Sequence, residues 1–183
     1  IAGMFQERGL FPSERMAGLL AAAIVSDTVM FKSPTCTERD KIVAERMARI
    51  AGISLKELGR EIFSPSREDR TIQELLHSDF KEFHIAGHSF AVAQITTVDT
   101  TELFDRRREL LEEMAAEAKR KDYQMVLMML TDVLLDGTWL LFVGDDETIR
   151  NAFSVQPREG AVFLPHVMSR KKQVIPSLSA LWG

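Results

Sequence analysis

Apolar and polar positions follow a helical period early in the chain and change to strand-like runs further on. Ser13 is placed to cap a helix in which Met16, Leu19, Leu20, Ala23 and Ile24 recur at helical spacing. Residues 25–35 form an apolar segment broken by polar residues and closed by a turn at Pro34. Thr37 then caps a second helix with Ile42, Val43, Met47 and Ile50 on one face, and Gly52 is its expected stop. Ser54-Leu55-Lys56-Glu57 and Thr71-Ile72-Gln73-Glu74 have capping-box spacing, in which hydroxyl and carboxylate satisfy each other's backbone amides. Each opens a short helix. The polar, turn-rich stretch between them gives a linker at 64–71, with one segment at 1–63 and a second domain at 72–183.

Beyond the linker, residues 80–85 and 89–97 read as strands joined by Ala86-Gly87-His88, a hairpin connection. Asp99-Thr100-Thr101-Glu102 is a further capping-box pattern, opening the longest helix, whose stripe is Leu103, Leu110, Leu111, Met114 and Ala118. An unbroken apolar run within 123–135 is followed by Asp136-Gly137 and a second run, a strong hairpin signal. A short helix at 146–153 and a last strand near 161–167 complete the pattern. Strands alternating with helices predict an α/β protein in which the second domain holds a mixed sheet flanked by helices.

Composition narrows the class without naming a function. The chain has 183 residues, of which 45% are hydrophobic and 27% charged, which suits packed globular units rather than a disordered tail. No apolar stretch reaches the ~18 residues that a membrane span needs. The net charge of -4 gives no general attraction to nucleic acid or anionic lipid, so any anion chemistry must come from local clusters. One cysteine, Cys36, cannot form an internal disulfide, which favours a cytoplasmic setting. The first residues lack an initiator Met and read as mid-helix, an expectation that the chain is a piece of something longer.

Three features carry candidate chemistry. Asp27 follows Ala21-Ala22-Ala23-Ile24-Val25, so its carboxylate faces the negative end of a helix dipole. A turn aspartate hydrogen-bonded by Ser26 and Thr28 is the ordinary reading; a compensating cation is the sharper one. Arg170-Lys171-Lys172 lies between apolar segments, and in an extended conformation at least one cation would tend towards the interior. A solvated strand end is the commoner outcome, but phosphate is the natural partner of an inward cation, with Arg gripping it bidentately. Lys81 sits between aromatics and by itself reads as a surface lysine. His84 and His88 are four apart, yet the strand pattern argues against a helical metal pair. Nothing around Cys36 sets up a nucleophile.

Ser26-Asp27-Thr28-Val29-Met30-Phe31-Lys32-Ser33-Pro34-Thr35-Cys36-Thr37 resembles a segment of the family II inorganic pyrophosphatases of the DHH phosphoesterase superfamily. Ser169-Arg170-Lys171-Lys172-Gln173-Val174-Ile175-Pro176 resembles that family's C-terminal signature, and Gln94-Ile95-Thr96-Thr97-Val98-Asp99 its strand-to-helix junction. The resemblance implies the end of a DHH domain followed by a DHHA2 domain that closes over pyrophosphate. It implies that Asp27 is a ligand of one of two manganese or cobalt ions, with Mg2+ arriving with the substrate. It implies that Lys81, Arg170 and Lys171 hold the pyrophosphate oxygens while a metal-activated hydroxide attacks phosphorus. A homodimeric parent is expected, with neither nucleic acid nor membrane as partner. The Asp-His-His motif and the N-terminal His and Asp ligands are absent from this sequence, so the isolated chain is expected to show little or no activity until a DHH segment is supplied. Whether the parent carries inserted nucleotide-binding CBS domains is open. Two alternatives stand beside this reading: another DHH-type phosphoesterase acting on polyphosphate or short oligonucleotides, and a non-catalytic anion-binding regulatory module.

Overall fold

The computed structural model describes residues 1–64 and 70–183, apart from the side chain of Gln6. Most of the expected linker at 64–71 therefore lies outside the described residues. The chain divides into two compact units, Ile1–Ser64 and Pro65–Gly183.

The first unit is helical: α1 (Ala2–Glu7), α2 (Glu14–Asp27), α3 (Glu38–Ala51) and α4 (Leu55–Phe63). Local chemistry sets the ends. Ser13 accepts from the Met16 amide, and Thr37 with Asp40 forms a complete capping box. Gly52 ends α3 at φ 66°, a left-handed conformation that costs glycine nothing. At Ser54 the hydroxyl takes the Glu57 amide. The buried seam of α2 is Ala17, Ala21 and Val25, whereas Leu19 is 61% exposed and Met16 is exposed as well. Small residues win the seam because α2 packs closely on α3, which answers with Ala44, Met47 and Ala48 and leaves Ile42 in solvent.

The second unit is a five-stranded mixed sheet in the order β1 (Phe80–Ile85), β2 (His88–Thr97), β3 (Met125–Asp132), β4 (Gly137–Val143) and β5 (Ala161–Pro165). All pairs are antiparallel except β2 and β3, which run parallel. A parallel pair needs a long crossover, supplied here by α6 (Thr101–Asp105) and α7 (Arg107–Lys121). The period of two sorts the side chains between faces. Ala91, Ala93, Val126, Met128, Leu130 and Leu141 meet α7 and α5 (Ile72–His77) on one face. Phe90, Val92, Leu127, Met129, Leu140 and Phe142 meet α8 (Asp146–Phe153) and α9 (Ile175–Trp182) on the other. The central strand β3, covered on both sides, is buried throughout.

Two sequence expectations are corrected. The capping box at Asp99–Glu102 does not form, because Asp132 Oδ2 accepts both the amide and the hydroxyl of Thr100 and the Asp99 carboxylate takes the Thr101 amide. The expected single helix is also interrupted at Arg106. Secondly, Arg170-Lys171-Lys172 is not extended. Residues Arg170–Val174 form a π-helical turn, capped by the Ser169 hydroxyl accepting from the Lys172 amide and closed by Val174 N–H to Ser169 O at 3.3 Å.

Candidate functional site

The turn that carries the basic run sends one cation inwards and two outwards. Arg170 is only 7% exposed, while Lys171 and Lys172 are exposed. A buried guanidinium is tolerable only when its donors are met. Arg170 Nη1 donates to the carbonyls of Asp79 at 2.7 Å and Val92 at 2.8 Å. Its Nη2 sits astride the Asp79 carboxylate, 2.9 Å from Oδ1 and 3.0 Å from Oδ2. The inward cation foreseen from the sequence is therefore present, but a carboxylate of the same chain, not phosphate, is its partner here.

This clamp gathers residues far apart in sequence. Lys81 lies two residues beyond Asp79 on edge strand β1, and its cross-strand partner is Val92, whose carbonyl receives Arg170. Lys81 shares parity with Phe83 and Ile85, which pack on the α8 and α9 face, the face that also carries Val174 next to the π-helical turn. Lys81 and Lys171 are exposed, and Arg170 is fastened to the same end of the β1–β2 ladder. Through the Arg170 clamp, the turn that carries Lys171 is thus fastened to the strand pair that carries Lys81.

The segment leading into the turn is held by side chains instead of a ladder. Gln173 Oε1 accepts from the amides of Met168 at 2.9 Å and Ser169 at 3.0 Å, and its Nε2 donates to His166 O. Gln94 Nε2 donates to Met168 O at 3.2 Å. Asp79 and Gln94 were not foreseen as site residues. For Asp79 no local signal exists, because its partner is 91 positions away.

Asp27 belongs to the first unit. It ends α2, and Thr28 caps the helix, with its hydroxyl donating to Ile24 O at 2.7 Å. The carboxylate is exposed on an open cleft of about 750 Å3 bordered by Leu20, Ile24, Val43, Arg39 and Asp40. Its exposure removes the argument that a buried charge requires a cation. Asp40 is held below the usual carboxylate range by the hydroxyl and amide of Thr37. After Asp27 the chain passes through Val29, Met30 and Phe31 at φ 50°, 50° and 66°, a left-handed run without glycine. Cys36 is half-buried, and burial pushes its thiol up, away from nucleophilic use. His84 bonds Ser89, and His88 stacks on Trp182 at 4.3 Å while bonding Gln124.

A mixed sheet flanked by helices, with a buried arginine and exposed lysines at one end, defines the class of domain. The DHHA2 domain matches residues 65–181, and the chain belongs to that family. The chain is similar to the manganese-dependent inorganic pyrophosphatase of Methanothrix thermoacetophila, 38% identical over 185 residues, which cover 98% of this chain and 60% of the relative. It is similar also to the cobalt-dependent inorganic pyrophosphatase of Clostridium perfringens, 39% identical over 99% of this chain and 34% of the relative. A crystal structure of a Methanococcus jannaschii protein assigned to the family II inorganic pyrophosphatases superposes with a TM-score of 0.81 at 35% identity, covering 94% of this chain and 57% of that one. The chain thus spans no more than about three fifths of the relatives it matches.

These names bring a metal into question. Among the described residues, no group of three or more His, Cys, Asp or Glu side chains is placed to hold a metal ion. One solvated carboxylate at Asp27 is a poor ligand set for manganese or cobalt, which take several nitrogen or oxygen donors. The described residues do not, by themselves, fit the metal.

Proposed function

We propose that this chain supplies the pyrophosphate grip of a manganese- or cobalt-dependent inorganic pyrophosphatase, whose reaction converts pyrophosphate to two phosphates. The fastening of the Lys171 turn, through Arg170, to the strand pair that carries Lys81 carries the reading. Pyrophosphate presents densely charged oxygens, which the exposed ammonium groups of Lys81 and Lys171 neutralise as point charges, while Arg170, its Nη donors spent on Asp79 and Val92, fixes the turn beside them. The same charges favour the transition state, in which negative charge accumulates on the phosphoryl oxygens and leaving group. Mg2+ is expected to arrive bound to the substrate.

In this reading Asp27 contributes one carboxylate to a metal site whose other ligands come from an N-terminal DHH segment, so the 183-residue chain alone binds pyrophosphate and hydrolyses little of it. The free thiol at Cys36 accords with a reducing cytoplasm. A second reading, a metal-independent anion module, draws on the lack of a metal-ligand cluster among the described residues. Calorimetric titration with pyrophosphate separates the two when repeated with and without manganese, on the chain alone and with the DHH segment added. Binding that tightens with manganese only in the presence of the segment supports the pyrophosphatase. Binding indifferent to manganese in both supports the module, and no binding in either sinks both.

A further inference from the structure

The motif at residues 94–99 contains a glutamine that the pyrophosphate grip does not use. Gln94 lies on β2, half-buried on the face that carries the π-helical turn. Its Nε2 donates to Thr131 Oγ1 at 3.0 Å as well as to Met168 O. Thr131 on β3 and Thr138 on β4 are register partners, both fully buried, with their hydroxyl oxygens 3.0 Å apart. Thr138 in turn donates to Val167 O at 2.5 Å. A hydroxyl has one proton, which fixes the direction of the whole chain. Thr138 gives its proton to Val167, so it must accept from Thr131. Thr131 must then accept from Gln94. The amide orientation of Gln94 follows too, because flipping it would set its oxygen against two acceptors.

We propose that Gln94 is a positioning residue of the anion grip, acting through Thr131 and Thr138 on segment 167–169 and hence on the turn that presents Arg170 and Lys171. This rests on the reading of that corner as a pyrophosphate site. The argument is one of satisfaction. Met168 has its N–H on Gln173 and its C=O on Gln94, and Val167 has its C=O on Thr138. The segment has left the β5 ladder and the π-helical turn has not begun, so these side chains supply the bonds that a ladder would. A polar row in an otherwise apolar layer is costly unless every member is paired. Here each donor in the row is spent on the next acceptor, ending on the backbone beside the cations. The turn is thereby tied both to Asp79, just before the edge strand, and, through the row, to the centre of the sheet.

The test uses the whole chain and the variants Q94M, T138V and T138S. Q94M removes both amide donors at similar volume, T138V removes the last hydroxyl at the same shape, and T138S restores it. Two readouts are taken: pyrophosphate affinity by calorimetry, and hydrogen exchange of the Met168, Ser169 and Lys172 amides. T138V is expected to weaken binding about fivefold, the usual effect of one lost hydrogen bond, and Q94M, which loses two, at least as much; both should speed exchange at these amides while leaving β3 protected. T138S should match wild type in both, and Q94M combined with T138V should bind little worse than either alone. Wild-type affinity and exchange in Q94M and T138V overturn the proposal, as does a T138S defect equal to that of T138V. If T138V does not fold, Q94M decides by the same criteria. If wild type binds no pyrophosphate, the functional reading fails, and the exchange data alone decide whether Gln94 positions the turn.

Discussion

Replacing Arg170 with methionine separates an anchoring arginine from a merely solvated one. The two carbonyl bonds from Nη1 are charge-assisted, worth about 1.5 kcal/mol each, so about 3 kcal/mol together. The Asp79 carboxylate is 47% exposed, and water takes it back when the partner goes, so this ion pair adds about 1 kcal/mol at most. Methionine refills the space of the arginine stem and returns about 1 kcal/mol of apolar burial. The net loss should be about 3 kcal/mol. Both tryptophans, Trp139 and Trp182, lie in the second unit, so urea unfolding followed by their fluorescence reports that unit alone. K171M is the control: Lys171 is exposed, and stability should change by less than about 0.5 kcal/mol while pyrophosphate affinity falls. An R170M variant as stable as K171M would refute the anchoring argument.

Three further expectations follow from local chemistry. Gly144 has φ 136°, and a Cβ there would stand 2.9 Å from Gln124 O, so G144A should cost about 2 kcal/mol in the same unfolding assay, and an unchanged midpoint would contradict the geometry. Burial, with Glu82 adding to it, pushes the Tyr123 phenol up to about 12, so the unfolded chain loses that proton first on the alkaline side. Wild type should therefore lose stability between pH 10 and 12 more steeply than Y123F; parallel melting curves would show the phenol is not protected. Asp145 is held below the usual carboxylate range by the hydroxyl and amide of Thr148 and the amide of Glu147. Its ionised form stabilises the fold above the ordinary carboxylate pKa, and that contribution fades as pH falls through the lowered value. Wild type should melt above D145N near neutrality and lose its advantage in acid, and a constant difference would argue against the cap.

Elements whose ends are set by neighbours in sequence were legible beforehand. The Thr37 cap, the Thr71 capping box, the left-handed Gly52 and the hairpin at Asp136-Gly137 all formed, while at Ser54 only the hydroxyl half of the box did. Misreadings arose where distant partners decide. The α2 seam of Ala17, Ala21 and Val25 is invisible to a rule that ranks residues by size, because close helix approach selects small side chains. The Asp99–Glu102 box failed because Thr100, inside it, is held by Asp132, 32 positions away. The basic run could be seen to need an inward partner, but neither its π-helical form nor the Asp79 counter-ion has a local signature. Asp27 is exposed in this chain, and its expected metal role rests on the resemblance alone.

Phosphate release from pyrophosphate with added manganese tests the central claim most directly, measured on this chain alone and again with a DHH segment restored. The account predicts negligible turnover by the chain alone and clear turnover after restoration, reduced by D27N, K81M or K171M. No turnover in either preparation, with both shown to be folded, would contradict it and leave an anion-binding module in its place.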